Sequence, residues 1–63
     1  TIPQQTDIEF AVSQLQKKPD EVISKEAVLD QVEENFSKAG KLLKSNWREI
    51  TARNIVIWFV KIG

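Results

Sequence analysis

The chain contains no cysteine and no histidine. Disulfides are excluded, as are zinc sites built from those two side chains. Nucleophilic and acid–base chemistry would rest on carboxylates, lysines and hydroxyls alone, and no glycine-rich phosphate loop is present, which argues against an enzyme and implies no cofactor. Its longest uninterrupted apolar run, residues 55–60, is far too short to span a bilayer. No secretory signal pattern is visible. At 63 residues the chain is a single small domain, near the size below which a protein needs staples or a partner to stay folded. Its start at Thr1 suggests a domain excised from a longer protein whose targeting segment lies elsewhere.

What is present is sorted charge. Net charge is zero, yet residues 1–37 carry eight acids against Lys17, Lys18 and Lys25, a net of −5. Residues 38–63 carry Lys38, Lys41, Lys44, Arg48, Arg53 and Lys61 against Glu49 alone, a net of +5. Such asymmetry points to a basic surface for a polyanion or an acidic partner. Equally, the acidic and basic halves could neutralise each other within the molecule.

Periodicity gives an all-α reading. Thr6-Asp7-Ile8-Glu9 has the form of a capping box, after which Ile8, Ala11, Val12 and Leu15 fall on one helical face. Pro19 stops this first helix near Lys17 or Lys18, and a loop from Asp20 to Ile23 follows. Ser24 is placed to cap a second helix, with Glu26 in its first turn. Val28, Leu29, Val32, Phe36, Ala39 and Leu43, extending toward Trp47, keep the spacing of a buried stripe. Gly40 weakens that pattern by about 1 kcal/mol relative to Ala, leaving open a break near 37–40 and a fourth element. Residues 46–49 read as a turn, and Thr51 as the cap of a last helix.

That last segment is rich in β-branched and aromatic residues, which favour a strand by propensity. A winged-helix hairpin could pair 47–51 with 55–61, but Ala52-Arg53-Asn54 supplies little turn chemistry. As a helix, Ile55, Val56, Ile57, Trp58, Phe59, Val60 and Ile62 would make it apolar nearly all round, and such a helix must be covered all round. Two short amphipathic helices cover one side only. The other side, with Val56, Val60 and part of Ile57 or Trp58, predicts an interaction patch. Two such helices packing about a two-fold axis would satisfy it, unless a larger parent protein does.

Residues 50–59, Ile-Thr-Ala-Arg-Asn-Ile-Val-Ile-Trp-Phe, resemble the third helix of a homeodomain, with Ile50-Thr51 as its entry step and Trp58-Phe59 closing the core. Val60 and Lys61 stand where that family places a polar side chain and its base-reading Asn, and the basic tail is missing. These departures argue against sequence-specific readout in the major groove. A homeodomain-like unit whose third helix is apolar is similar to the C-terminal domain of the early replication-organiser protein of small protein-primed Bacillus phages. The resemblance extends to chain length and element order, but its specific evidence is the ten-residue box.

The resemblance implies a homeodomain-like three-helix unit forming an intertwined six-helix dimer. It also implies non-specific binding of single- and double-stranded DNA, further assembly on DNA in phage replication, and residence in the host cytoplasm. In that family a membrane anchor and coiled coil precede the domain, which would place this one at the inner face of the membrane. The candidate phosphate contacts are Lys38, Lys41 and Lys44, expected in one broad sector of the second helix, with Asn46, Arg48, Arg53 and Lys61. Ser45 and Thr51 could add neutral donors. Trp47 could stack a base but belongs more naturally to core or interface. The candidate dimer interface is Trp47, Val56, Ile57, Trp58 and Val60. The alternatives are an interaction module that docks an acidic protein, and a winged-helix regulator.

Overall fold

In a computed structural model, which describes residues 1–20 and 22–62, three α-helices follow one another with no strand among the described residues. The loop reading at Glu21 and the apolar reading of Ile62's side chain lie outside the described residues. Helix α1 (Gln5–Gln16) begins where the Gln4 N–H donates to Asp7 Oδ2 at 2.8 Å. The expected box at Thr6 and Glu9 is therefore displaced by two residues, and Thr6 sits inside the first turn. The Asp7 carboxylate takes the role expected of Glu9, a charge-assisted acceptor for the N-cap N–H at the helix N-terminus. The helix ends at Gln16 with Lys17 as its cap, two residues before Pro19.

Helix α2 (Lys25–Lys38) is capped as its sequence predicts: Ser24 Oγ accepts from the Ala27 N–H at 3.2 Å. Its end is set by Gly40, whose φ of +71° is a left-handed conformation that only glycine adopts cheaply. The Gly40 N–H donates to the Ser37 carbonyl and the Lys41 N–H to that of Phe36, at 3.1 and 2.9 Å. This is a Schellman motif, and it closes the helix. Among the described residues no fourth helix forms; residues 39–46 are a connection. Lys41 and Lys44 are thus carried by this connection and not by the second helix, and Ala39 is exposed.

Helix α3 (Trp47–Ile62) starts four residues before the expected Thr51 cap, its first turn closed by the Ile50 N–H donating to the Asn46 carbonyl at 3.3 Å. Nothing in Trp47-Arg48-Glu49-Ile50 breaks a helix, and Trp47 gains burial by being inside it. Thr51 consequently lies in the helix interior, fully buried, and its Oγ1 has no hydrogen-bond partner. The 47–51/55–61 hairpin does not form. A helix places Trp47, Thr51 and Ile55, four residues apart, on one buried face, and that burial outweighs the β propensity of the segment.

The core joins Ile8, Ala11, Val12 and Leu15 of α1 to Val28, Leu29, Val32 and Phe36 of α2 and to Trp47 and Ile55 of α3. Burying each aliphatic or Phe side chain contributes about 1.5–3 kcal/mol. Of the core and interface readings of Trp47 the structure takes the core one, and the Trp58-Phe59 pair expected to close the core lies at its edge. Trp47 is buried at 7% exposure, whereas Trp58 and Phe59 are half-buried at the edge of the core. Two polar links brace the helices. Asn35 Nδ2 donates to Gln14 Oε1 at 2.6 Å, and Arg48 Nη2 donates to Asp30 Oδ1 at 2.8 Å.

At the chain's first residue, Thr1 pairs with the 39–46 connection. Thr1 N donates to the Leu42 carbonyl, and the Lys44 N–H donates to the Thr1 carbonyl, each at 3.2 Å. Pro3, two residues on, is fully buried.

Candidate functional site

The structure divides the seven candidate phosphate contacts into groups. Lys38, at the last turn of α2, and Lys41 and Lys44, on the connection after Gly40, are close in sequence at one end of the molecule. Lys38 Nζ lies 3.5 Å from Glu34 Oε1, in a pair whose members are 74% and 54% exposed. Exposed pairs of this kind contribute only about 0–1 kcal/mol, so Lys38 can exchange Glu34 for a phosphate. Lys41 and Lys44 form no ion pair with any described carboxylate. The Lys41 ammonium lies over the Phe36 ring, 5.6 Å from its centroid. That contact spans the same two residues as the Schellman bond, so the glycine turn also orients this lysine.

Arg48 is committed elsewhere. Its Nη2 lies 2.8 Å from Asp30 Oδ1 and 3.7 Å from Glu26 Oε2, and its guanidinium lies 5.8 Å from the Trp47 ring centroid. The hydrogen bond to Asp30 raises its pKa above the ordinary arginine value, with Coulombic help from Asp30, Glu26 and Glu33. At Arg48, and more weakly at the exposed Lys38–Glu34 pair, the intramolecular reading of the charge asymmetry holds. Arg53 pairs with Glu49 at 3.5 Å one turn away, both well exposed. Asn46 is exposed, and its carbonyl serves the first turn of α3. Lys61 lies near the far end of α3, about 20 Å along its axis from Trp47. There it lines a cleft with Gln5, Glu9, Asn54, Ile57 and Trp58. The fold therefore leaves Lys61 apart from the lysines of the connection.

Of the candidate interface residues, Val56, Ile57 and Val60 are 49%, 54% and 75% exposed. They lie on the face of α3 turned away from the buried Thr51 and Ile55, because side chains three and four apart share a face. Ala52, Arg53, Val56 and Ile57 form a shallow groove with Lys25 from the start of α2. Trp58 lies beside this face, its ring 5.5 Å from that of Phe59 and inclined at 45°. Trp47 is consumed by the core and is unavailable either to an interface or to a stacked base.

Sequence reasoning missed several surface features. Lys25 joins the α3 groove through tertiary packing that periodicity does not reveal. The clasp of Thr1 on the connection is equally silent, because backbone bonds of this range carry no side-chain signature. Phe10, 58% exposed, was detectable, since it falls off the Ile8–Ala11–Val12–Leu15 stripe. Among the described residues no helix is long and apolar enough to cross a membrane, and no cluster of acidic side chains could hold a metal ion. No family model, curated protein or solved structure matches the chain.

Proposed function

We propose that this domain binds single- and double-stranded DNA without sequence preference, through phosphate contacts, as a dimer that assembles further on DNA during phage replication. The observation that carries the reading is the group formed by Lys38, Lys41 and Lys44. These lysines follow one another from the end of α2 into an exposed connection, and two of them have no carboxylate partner among the described residues. Flexible ammonium groups on an exposed segment suit phosphates, which carry charge but no sequence information. The Trp58-Phe59 box and its departures at Val60 and Lys61 support a homeodomain-like unit that has given up base readout. The exposed Val56, Ile57 and Val60 support association through α3, which would pair two three-helix units into a six-helix core. Arg53, at the edge of that face, is a secondary phosphate contact, and Arg48 is removed from the primary set.

The test is affinity for random-sequence single- and double-stranded DNA across a salt series, with the wild-type chain and Lys41→Ala/Lys44→Ala. The wild type should bind both forms, and log affinity should fall linearly with log salt. For double-stranded DNA the double variant should lower that slope by about two units for each protomer that contacts the DNA. Absence of wild-type binding at low salt would refute the reading. It would favour a module that docks an acidic protein, for which Arg48, already holding two carboxylates, is the precedent within the molecule.

A further inference from the structure

The segment before α1 has no part in the core stripe of any helix, yet it is fixed at two levels. Pro3 is fully buried and Ile2 half-buried. Thr1 uses both of its backbone groups on the connection that carries the lysines. Its N donates to the Leu42 carbonyl and its carbonyl accepts from the Lys44 N–H, each at 3.2 Å. These two bonds have the pattern of a single parallel β-bridge opposite Leu43, whose side chain is half-buried against the core. Among the described residues, the connection has two other backbone anchors, one at each helix end. On one side is the Schellman turn at Gly40, and on the other the Trp47 N–H donating to the Lys44 carbonyl at 3.0 Å. Between them Leu42 is 88% exposed and Lys41 and Lys44 project from exposed positions. Without the clasp, residues 42–44 would keep no hydrogen bond to the first segment of the chain.

We propose that residues 1–3 are a positioning strap for DNA binding: by holding Leu42 and Lys44 from both sides of Leu43, they fix where Lys41 and Lys44 meet phosphate. This inference rests on the DNA-binding reading. Ordering a binding segment before the ligand arrives removes an entropic cost that would otherwise be paid on binding. The strap is made by main-chain atoms at residue 1, so it tolerates side-chain change there and fails on removal of the segment.

The experiment is a double-mutant cycle on DNA affinity at 0.1 M salt. It compares the 63-residue chain, a variant lacking residues 1–3, Lys41→Ala/Lys44→Ala, and the two combined, with helicity checked by circular dichroism. If the strap acts through these lysines, removing it should weaken binding on the order of tenfold and lower the salt slope. The same removal should then cost little once both lysines are alanine. Thr1→Ala, which keeps both backbone bonds, should bind as the wild type does. If removal unfolds the chain, Ile2→Gly/Pro3→Gly replaces it in the same cycle. Additive losses, or undiminished affinity after removal, would overturn the strap while leaving DNA binding standing. Failure of the wild type to bind would overturn both.

Discussion

Thr51 is the one described side chain with a buried polar atom that nothing satisfies. Its Oγ1 lies in the interior of α3, between the core positions of Trp47 and Ile55 one turn to either side. A buried hydroxyl without a partner costs about 1–3 kcal/mol relative to an apolar group of the same shape. Valine is that group, and its helix propensity is close to that of threonine. Thr51→Val should therefore stabilise the domain by about 1–2 kcal/mol. For a chain of this size, that corresponds to a rise of about 5–15 °C in Tm. The assay is thermal and urea denaturation followed by helical circular dichroism, at one fixed protein concentration because self-association would make Tm concentration-dependent. Thr51→Ser is the control: it keeps the hydroxyl and loses the methyl, and should cost about 1 kcal/mol. A Thr51→Val protein no more stable than the wild type would refute the reasoning. It would mean that the hydroxyl is satisfied in solution, the carbonyl of Trp47 one turn back being the nearest acceptor of the usual kind.

Four further outcomes can be checked. Trp47→Ala should largely unfold the chain, because losing a buried aromatic costs about 3–5 kcal/mol out of a total near 3–9 kcal/mol; Trp58→Ala should retain more helix, and the reverse order would contradict the burial described above. Val56→Asp/Val60→Asp should leave circular dichroism unchanged and reduce the mass measured by sedimentation equilibrium, whereas an unchanged dimer mass would move the interface off this face of α3. Arg48→Gln should lower stability by no more than about 1 kcal/mol and leave DNA affinity within a factor of two, and a large loss of affinity would return Arg48 to the phosphate-binding set. Gly40→Ala should destabilise by about 1 kcal/mol or more through backbone strain alone, since a Cβ there meets nothing within 4 Å; an unaffected urea midpoint would show the turn to be relaxed.

The parts of the fold legible in the sequence were those written in side-chain periodicity and local capping. The α1 stripe, the Val28–Leu29–Val32–Phe36 stripe and the Ser24 cap all appear where spacing and hydroxyl chemistry put them. Boundaries failed where two local signals competed. The Gln4–Asp7 pair replaced the Thr6–Glu9 box at the start of α1, and Thr51 looked like a cap because its hydroxyl follows residues 46–49 that read as a turn, even though the stripe running toward Trp47 pointed to burial there. The lysines were legible as a charge cluster, but their placement depended on whether Gly40 ended the helix. A glycine within a continuing 3-4 stripe does not decide that. The role of Arg48 was illegible for a different reason: its carboxylate partners lie 18 and 22 residues back, on another helix.

Gly40 has a larger consequence than ending one helix. Phe36, Ala39, Leu43 and Trp47 keep helical spacing straight across it, so the sequence on either side would support one uninterrupted helix from residue 25 to residue 62. Such a rod would be about 57 Å long, twice the longest dimension of the folded molecule, 29 Å. In it, Trp47 and Ile55 would be carried away from their own α1 and α2 and could be covered only by those of another molecule. That is the geometry of a domain swap. The left-handed backbone of a single glycine is thus what brings the buried side of the third helix, with Trp47 and Ile55, back onto the core positions of the chain's own α1 and α2.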